Sequence, residues 1–308
     1  MEKLSLCVVV LHYNNFEMTR GYVENLKKLS AKSYEKHIII VDNKSPDESG
    51  KPLFEYFKDD REVDVLLLDK NLGFAKGNNV GILFARDKYD ADLIAVSNSD
   101  IEIRDKMFFE KVIRIYERDE FDIFGPDIFG VHYKVHQSPI RADHISLEQI
   151  DLRIKGLAKT IRKVKLIKKL RLYNLLYNAR RILIGFSFNK KSFQRDYSRY
   201  QTGVVLQGAF FVLAKSYLEA YPDGLYPGTF LYMEEEILNY RAKLKNLKVV
   251  YDPSVSVRHL EGMSSLSYAG DRCSKYIFEL EQSRKSHFVM KKYMLMNQKK
   301  TGGSELKK

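Results

Sequence analysis

The sequence predicts an α/β protein, with a mostly parallel Rossmann-like sheet flanked by helices, and two observations support this fold class. Short apolar runs rich in β-branched residues recur at 4–11, 37–41, 63–68 and 91–97. Stretches with helical spacing separate them, at about 16–32, 49–59 and 76–88. Short apolar strands that alternate with helices are typical of parallel sheets covered on both faces. Right-handed crossovers then place the carboxyl ends of the strands on one edge.

The second half of the chain predicts further elements. Residues 204–220 indicate a strand that runs into a helix, and 230–244 indicate a helix with an acidic start. Residues 248–260 are typical of a strand, a turn and a second strand. Residues 161–186 mix cations with Leu166, Leu170, Tyr173 and Tyr177 at helical spacing, which predicts an amphipathic basic helix or helix pair.

Composition narrows the class of protein. The chain has 308 residues and 44% hydrophobic content, enough for a sizeable core. Cys7 and Cys273 have no metal-ligand spacing, and we expect two free thiols in a reducing compartment. No apolar run approaches the roughly 18 residues that a membrane span needs, and the first residues do not resemble a signal peptide. These observations predict a cytoplasmic or peripheral membrane protein.

The net charge of +12 is concentrated in one segment. Residues 151–200 contain 15 Lys or Arg and two acids, Asp151 and Asp196, while the remainder is close to neutral. A basic segment on a neutral body suggests a specific anionic partner surface. An anionic membrane, a nucleic-acid backbone, a dimer contact and a solvated basic face all fit this pattern.

Polar clusters follow each of the four predicted strands, and the sharpest is Ser97 to Asp100. Ligands of open α/β sheets bind outside the carboxyl ends of strands, so these clusters predict one crevice. A carboxylate beside small residues can approach Mg²⁺ or Mn²⁺, which bind phosphates jointly with one or two carboxylates. The alternative is that the clusters are ordinary turns, which Asn and Asp favour.

Three further features could carry chemistry. Residues 70–82 hold three glycines and three asparagines but match neither the P-loop nor the dinucleotide fingerprint. Residues 234–236 are consecutive glutamates after an apolar run, and a partly buried carboxylate has a raised pKa suited to a general base. His259 ends an apolar strand-like run and could reach a metal or a phosphate. Close packing, the helix macrodipole and a structural histidine are the respective alternatives.

Seven stretches together carry a family resemblance: "VVVLHYNN", "IIIVDNKSPD", "LDKNLGFAKGNN", "LIAVSNSDIEI", "QGAFFVLAK", "FLYMEEEIL" and "VYDPSVSVRH". In content and order they resemble the family 2 glycosyltransferases, with the bacterial rhamnosyltransferase-like enzymes as the nearest branch. The resemblance implies a GT-A fold with a nucleotide-sugar half and an acceptor and catalytic half. The expected parts are 1–130, a basic helical insertion at 131–200, the catalytic half at 201–265, and a C-terminal helix and tail at 266–308.

The resemblance also implies roles for single residues. Asp100 stands at the position of the second acid in the family's DXD-type motif, whose first Asp is replaced in this chain. Together with His259 it would bind Mn²⁺ or Mg²⁺. Glu235 matches the family's base, and Glu234 its companion. Many relatives carry another acid where this chain has Ile237. The nucleotide sugar would contact a larger set: Leu11, Tyr13, Asp42, Asn71, Lys76, Asn78, Asn79, Ser99, Gln207, Gly208 and Ala209.

The implied reaction is a metal-dependent, inverting transfer of a sugar from a nucleoside diphosphate sugar to a glycan acceptor. The resemblance implies that such acceptors are carried on polyprenyl diphosphate lipids. We therefore expect the protein to act at the inner face of a bacterial membrane, with residues 151–200 bound to anionic lipid. Nucleic acid is not an expected partner, and an oligomer is compatible with the sequence. The alternative is a non-enzymatic basic protein that binds nucleic acid or membrane on a nucleotide-binding fold.

Overall fold

The structure, a computed structural model, describes residues 3–171, 196–261 and 271–300. The chain divides into two units. The first consists of Met1–His144, Asp196–Phe230 and Glu234–Ser267. The second consists of Ile145–Arg195, Leu231–Met233 and Tyr268–Lys308.

The first unit is built on one mixed sheet. Its strands are β1 (Leu4–His12), β2 (Tyr34–Asp42), β3 (Val63–Leu67), β4 (Leu93–Asn98), β5 (Ile101–Glu102), β6 (Ile123–Gly130), β7 (Val135–His136), β8 (Gln201–Thr202), β9 (Phe210–Ala214) and β10 (Val249–His259). Its helices are α1 (Phe16–Lys27), α2 (Gly50–Phe57), α3 (Gly73–Tyr89), α4 (Phe108–Asp119), α6 (Lys215–Ala220) and α7 (Glu234–Leu244), numbered around α5 of the second unit.

The sheet order is β3-β2-β1-β4-β9-β6-β10-β5, with β7 beside β6 and β8 beside β10. The ladders from β3 to β4 are parallel, as is the ladder between β6 and β10. Strand β9 is antiparallel to both of its neighbours. The predicted α/β fold with a mostly parallel sheet is therefore confirmed. Strand β9 lies antiparallel between two parallel sets, and the two-residue strands β5, β7 and β8 also pair antiparallel.

The core lies on both faces of this sheet, because alternate residues of each strand point to opposite sides. Leu6, Val8 and Val10 pack with α1, α2 and α4. Cys7 and Val9 pack on the other face with α3, α6 and α7. This two-sided burial explains why the strands read as continuous apolar runs.

One predicted element is wrong. Residues 248–260 form the single strand β10 rather than two strands joined by a turn. Its register with β6 shifts between Asp252 and Ser256, where Pro253 has no N–H to offer the ladder. The proline thus produces a bulge inside the strand, and the chain keeps its direction as far as His259.

The second unit contains α5 (Leu147–Lys169) and α8 (Arg272–Lys300), which pack along each other. Helix α5 begins with a capping box between Ser146 and Gln149, well before the predicted start at 161. Residues 172–195, including Tyr173 and Tyr177, lie outside the described residues. Within 3–171, 196–261 and 271–300, no helix is long and apolar enough to cross a membrane.

The packing of α3 on the sheet predicts a sharp stability effect at Gly81. A Cβ atom there would lie 2.5 Å from Val9 Cγ1 and 2.9 Å from Val41 Cγ2. We expect Gly81→Ala to lower the free energy of unfolding by about 1–3 kcal/mol, because the helix must move off the strands.

Urea unfolding measures this effect, and Gly21→Ala is the matched control. A Cβ atom at Gly21, inside α1, has no neighbour within 4 Å. That variant should gain about 0.5–1 kcal/mol from helix propensity. Equal stabilisation by both substitutions would contradict the close packing of α3.

Candidate active site

The first loop after β1 takes its shape from two asparagines. Asn14 and Asn15 both have positive φ angles, 64° and 66°, a conformation that Asn tolerates better than most residues. The Asn15 side chain then caps α1 by accepting the Met18 N–H at 3.1 Å. Leu11 and Tyr13, which the resemblance assigns to the nucleobase, flank His12 at the end of β1.

His12 anchors this loop from below, a role that the sequence analysis missed. Its ring is fully buried, with Nδ1 2.7 Å from the Thr19 hydroxyl and Nε2 2.7 Å from the Ser49 hydroxyl. Burial lowers the pKa of His12, against an opposing effect of Asp42 and Asp47. The imidazole therefore joins the first turn of α1 to the N-cap of α2 as a neutral group.

Asp42 ends β2 beside this loop, at the position predicted for contact with the nucleobase. Its Oδ1 accepts the backbone N–H of Ser45 at 3.1 Å and the Ser45 hydroxyl at 2.5 Å. Its Oδ2 lies where a Cβ atom of Gly50 would stand, so the glycine leaves room for the carboxylate. The carboxylate is thus held in one orientation at the carboxyl edge of the sheet.

The second donor loop is fastened by Asn43, another residue that the sequence analysis did not single out. Asn43 Oδ1 accepts the Leu72 N–H at 2.8 Å, and its Nδ2 donates to the Gly73 carbonyl at 3.1 Å. Asn71 shapes the same turn, because its Oδ1 accepts the Gly73 N–H at 2.8 Å. Two amide side chains thus fix the entry to α3.

The remaining predicted donor residues of α3 differ in their surroundings. Lys76 is exposed, whereas Asn78 is buried and donates to the Phe74 carbonyl at 3.0 Å. Asn79 donates to the carbonyls of Asp223 and Leu225, and its oxygen accepts the Leu225 N–H.

The amide of Asn79 therefore holds the 223–225 loop. The contacts of Asn78 and Asn79 with the donor both stay predictions.

Asp100 and His259 form the centre of the predicted metal site. Strands β5 and β10 pair His259 with Ile101, and the Leu260 N–H donates to the Asp100 carbonyl at 2.9 Å. The two side chains are mostly buried, with His259 Nε2 3.3 Å from Asp100 Oδ2. Ser99, also buried, precedes the carboxylate.

This pair fits a divalent cation whose remaining coordination positions are filled by a bound substrate. Two adjacent donors about 2.1 Å from one octahedral ion lie about 3.0 Å apart, close to the observed separation. Within the parts of the chain that the structure describes, no cluster of three or more His, Cys, Asp or Glu side chains could hold a metal. A carboxylate and an imidazole at this separation resemble sites in which one or two protein ligands share the ion with substrate phosphates.

The 207–209 loop lies directly beside the "SNSD" stretch. The Asn98 N–H donates to the Ala209 carbonyl at 2.9 Å, which extends the ladder between β4 and β9. Gln207 accepts the Ala209 N–H through its own side chain, which tightens the turn around Gly208. The three predicted residues Gln207, Gly208 and Ala209 are therefore brought next to the metal-site loop.

Glu234 and Glu235 begin α7 on the other side of Gly208. A Cβ atom at Gly208 would lie 2.8 Å from Glu235 Oε1, so the glycine admits the carboxylate. Burial raises the pKa of Glu235, while N–H groups of Glu235 and Gly208 and the charge of Arg141 oppose the rise. Burial, and then the charge of Glu235, raise the pKa of Glu234 to about 8. The sequence analysis predicts a raised pKa for a carboxylate here, and burial acts in that direction on both acids.

Glu236, the third acid, has a different environment. Its side chain is buried and forms an ion pair with Arg141, with Nε 3.1 Å from Oε1. An acid held by a guanidinium is a poor proton acceptor. The triplet therefore separates into one paired acid and two whose pKa is raised.

The start of α7 is also tied to the second donor loop. The Phe74 N–H donates to the Phe230 carbonyl at 2.8 Å. Gly73, with φ of 79°, makes this approach possible, because a Cβ atom would lie 2.3 Å from the same oxygen. Phe74, Gln207 and the two raised-pKa acids line one small cavity. A residue of the second donor loop and the two acids of α7 thus line the same cavity.

The model of Glycosyl transferase family 2 matches residues 7–221, more than two thirds of the chain. The protein belongs to glycosyl transferase family 2. Glycosyltransferase GlyG of Streptococcus pneumoniae serotype 4 is 29% identical over 120 residues, which cover 39% of this chain and 38% of GlyG. The match thus spans about two fifths of the length of that relative.

Solved structures show the same GT-A fold. S. aureus TarS 1-349 has a TM-score of 0.52 at 14% identity and covers 91% of this chain and 71% of its own. Its complex with UDP-GlcNAc has a TM-score of 0.52 at 15% identity, over 90% and 64% of the two chains. GalNAc-T7 with UDP, GalNAc and Mn²⁺ has 0.53 at 13% identity, over 85% and 45%. At these identities the likeness concerns the fold.

The buried acid at the start of α7 predicts a pH-dependent stability of this family member. The pKa of Glu234 is raised in the folded state to about 8, from about 4.3 when unfolded. Folding therefore favours the protonated carboxyl, and stability is lost as pH rises through that window. Glu234→Gln should raise the free energy of unfolding by about 2–4 kcal/mol at pH 8 and little at pH 4.5.

Urea titrations from pH 4.5 to 8.5 measure this difference. Glu117→Gln, at an exposed position of α4, is the matched control for loss of one carboxyl. A difference between Glu234→Gln and the original chain that stays constant across the pH range would contradict the raised pKa.

Proposed function

We propose that the protein is a metal-dependent, inverting glycosyltransferase that uses a nucleoside diphosphate sugar. The observation that supports this most is the pairing of two unlike sites around the 207–209 loop. On one side stand Asp100 and His259, 3.3 Å apart, and on the other stand Glu234 and Glu235, with raised pKa values. In transfer from a diphosphate leaving group, a bound cation would neutralise the charge of the leaving group and a proton acceptor would activate the acceptor hydroxyl.

The donor would lie along the carboxyl edge of the sheet. Asp42, with Leu11 and Tyr13, would hold the nucleobase, and Asn71, Lys76, Asn78 and Ser99 would face the ribose and diphosphate. Asp100 and His259 would hold Mn²⁺ or Mg²⁺, which neutralises charge on the departing diphosphate when it is bound. The turn at Gln207, Gly208 and Ala209 would support the donor sugar.

Glu235 is our candidate for the general base. It contacts the Gly208 turn, and its raised pKa makes its carboxylate a better proton acceptor than an exposed one. It would take the proton of the acceptor hydroxyl as that oxygen attacks the anomeric carbon. A single displacement inverts the configuration and needs no enzyme nucleophile. Glu234, protonated at neutral pH, would support or contact the acceptor.

The comparisons and the resemblance suggest which donors to test, and the resemblance alone suggests the acceptor. The solved relatives include one complex with UDP-GlcNAc and one with UDP, GalNAc and Mn²⁺, so UDP-sugars are the first donors to test. dTDP-rhamnose follows from the rhamnosyltransferase-like stretches. The acceptor we propose is a glycan on a polyprenyl diphosphate carrier, for bacterial surface polysaccharide at the inner face of the membrane.

The second unit supports a membrane-surface role. On α5 and its C-cap, Leu152, Leu166 and Leu170 are exposed and share one helical face with Lys159 and Lys163. On α8, Phe288, Leu295 and Met296 are exposed, and a groove carries them with Lys291, Lys292 and Lys299. Exposed apolar residues among cations are typical of helices that lie on anionic lipid.

Two substitutions test the catalytic proposal through opposite effects. Glu235→Gln should lower turnover roughly 10²–10⁴-fold and keep nucleotide binding, because it removes only the proton acceptor. Asp100→Asn should abolish the Mn²⁺-dependent part of nucleotide binding.

Calorimetric titration with UDP, dTDP and GDP, with and without Mn²⁺, measures binding, and release of the nucleoside diphosphate measures turnover. Glu234→Gln is the matched comparison for the choice of base. Near-normal turnover of Glu235→Gln would refute its role. Nucleotide binding that does not respond to Mn²⁺ or to Asp100→Asn would refute the metal site.

The membrane proposal has its own experiment. Lys159→Ala with Lys163→Ala should weaken binding to anionic vesicles about 30-fold, since each cation near the surface contributes about 1 kcal/mol. Co-sedimentation with phosphatidylglycerol vesicles measures it, beside neutral phosphatidylcholine vesicles. Lys28→Ala with Lys32→Ala removes the same charge from an exposed surface of the first unit. Equal loss in both pairs would contradict a specific lipid face, and binding to single-stranded nucleic acid alone would favour the alternative.

A further inference from the structure

A chain of side chains continues behind the Asp100–His259 pair. His259 Nδ1 lies 2.8 Å from Gln137 Oε1. Gln137 Nε2 donates to Glu261 Oε1 at 2.5 Å. Glu261 Oε2 accepts the backbone N–H groups of His132 and Tyr133, at 2.9 and 3.1 Å. Four side chains thus form a continuous path from the metal-site carboxylate to a backbone turn.

The direction of each hydrogen bond in this path follows from its far end. An ionised carboxylate only accepts, and Glu261 already accepts from two backbone N–H groups. The Gln137 amide must therefore turn its NH₂ group towards Glu261 and its oxygen towards His259. An amide oxygen has no proton to give, so Nδ1 of His259 must carry one.

The consequence appears at the other ring nitrogen. An imidazole that is neutral and protonated at Nδ1 has a bare lone pair at Nε2. That lone pair lies 3.3 Å from Asp100 Oδ2, another acceptor. Two acceptors held this close repel each other unless a proton or a metal cation lies between them. The path therefore fixes the one tautomer of His259 that can bind a metal with Asp100.

The surrounding backbone shows that this arrangement is built with some strain. Glu261 has φ of 53°, a left-handed conformation that few non-glycine residues adopt. Gly130 leaves the space for the path, since a Cβ atom there would lie 2.5 Å from Gln137 Nε2 and 3.0 Å from Glu261 Cδ. A strained residue beside a required glycine indicates a geometry that the fold maintains.

We propose that Gln137 and Glu261 are positioning residues that set the Nδ1–H tautomer of His259 and so prepare its Nε2 to bind the cation. The proposal rests on the proposed function for the cation, but the tautomer itself exists without one. Neither residue touches substrate in this proposal. Outer partners of this kind typically change metal affinity 10–100-fold when they are lost.

The direct readout is nitrogen NMR of the full chain labelled with ¹⁵N-histidine. Spectra are recorded at pH 8.5, where an ordinary imidazole is neutral, without metal and then with Mg²⁺ and UDP. The signal that His259→Gln removes identifies His259 among the seven histidines. We expect a protonated Nδ1 in the original chain. A bare Nδ1 with the proton on Nε2 overturns the proposal.

Variants separate positioning from simple damage to the fold. Gln137→Leu should lose the fixed tautomer and bind Mn²⁺ 10–100-fold more weakly in the presence of UDP. Gln137→Glu combined with Glu261→Gln exchanges the two groups and keeps an acceptor for Nδ1–H, so it should restore both properties. An unchanged His259 spectrum in Gln137→Leu, or the exchanged pair behaving like that variant, overturns the proposal.

The two proposals fail in different ways. A protonated Nδ1 in a chain that binds no Mn²⁺ with any nucleotide supports the positioning role and refutes the metal site. Mn²⁺-dependent nucleotide binding together with a bare Nδ1 refutes the positioning role and leaves the metal site supported.

Discussion

The candidate site depends on the ladder between β4 and β9. That ladder ends with the Asn98 N–H bonded to the Ala209 carbonyl. Two residues beyond Asn98 stands Asp100, and one residue before Ala209 stands Gly208, which receives the Glu235 carboxylate. One antiparallel pairing thus determines how Asp100, the proposed cation ligand, and Glu235, the candidate base, lie relative to each other. A slip by one residue would turn every side chain of β9 to the other face.

Glycines allow the groups of the candidate site to approach one another closely, and glutamates provide its titratable groups. Gly73, Gly130 and Gly208 each lie where a side chain would collide with a group of the site. The acids that meet there have unlike partners: Glu236 faces a guanidinium, whereas Glu234 faces another glutamate. Among these consecutive glutamates, the fold therefore stabilises the charged form of Glu236 and disfavours the charged form of Glu234.

Much of this could be predicted from the sequence, for a physical reason. Strands buried on both faces read as apolar runs, and the polar residues that end them must meet at one edge, so Asp42 and Asp100 could be placed there. The bulge at Pro253 could not be predicted from the sequence, because a proline is equally typical of a turn. Only the pairing with β6 shows that the strand continues past it.

The residues that support the candidate site could not be predicted from the sequence either. His12 looks like one polar residue in a loop, although it is fully buried between two hydroxyls. Gln137 and Glu261 are far apart along the chain and meet only because β6 and β10 end together. The hydrogen bonds between the Asn79 amide and the 223–225 loop join residues more than 140 positions apart, which no local pattern indicates.

The place of β9 in the sheet also has a consequence for the order in which a growing chain can fold. Strands β1 to β4 are complete once residue 98 has been made, and they pair with one another directly. Strand β6 is made soon afterwards, but its route into the sheet passes through β9, which ends at Ala214. During synthesis β6 must therefore wait until the whole basic segment has been translated. Long-range pairing of this kind is slow, and it leaves apolar strand edges for chaperones to protect.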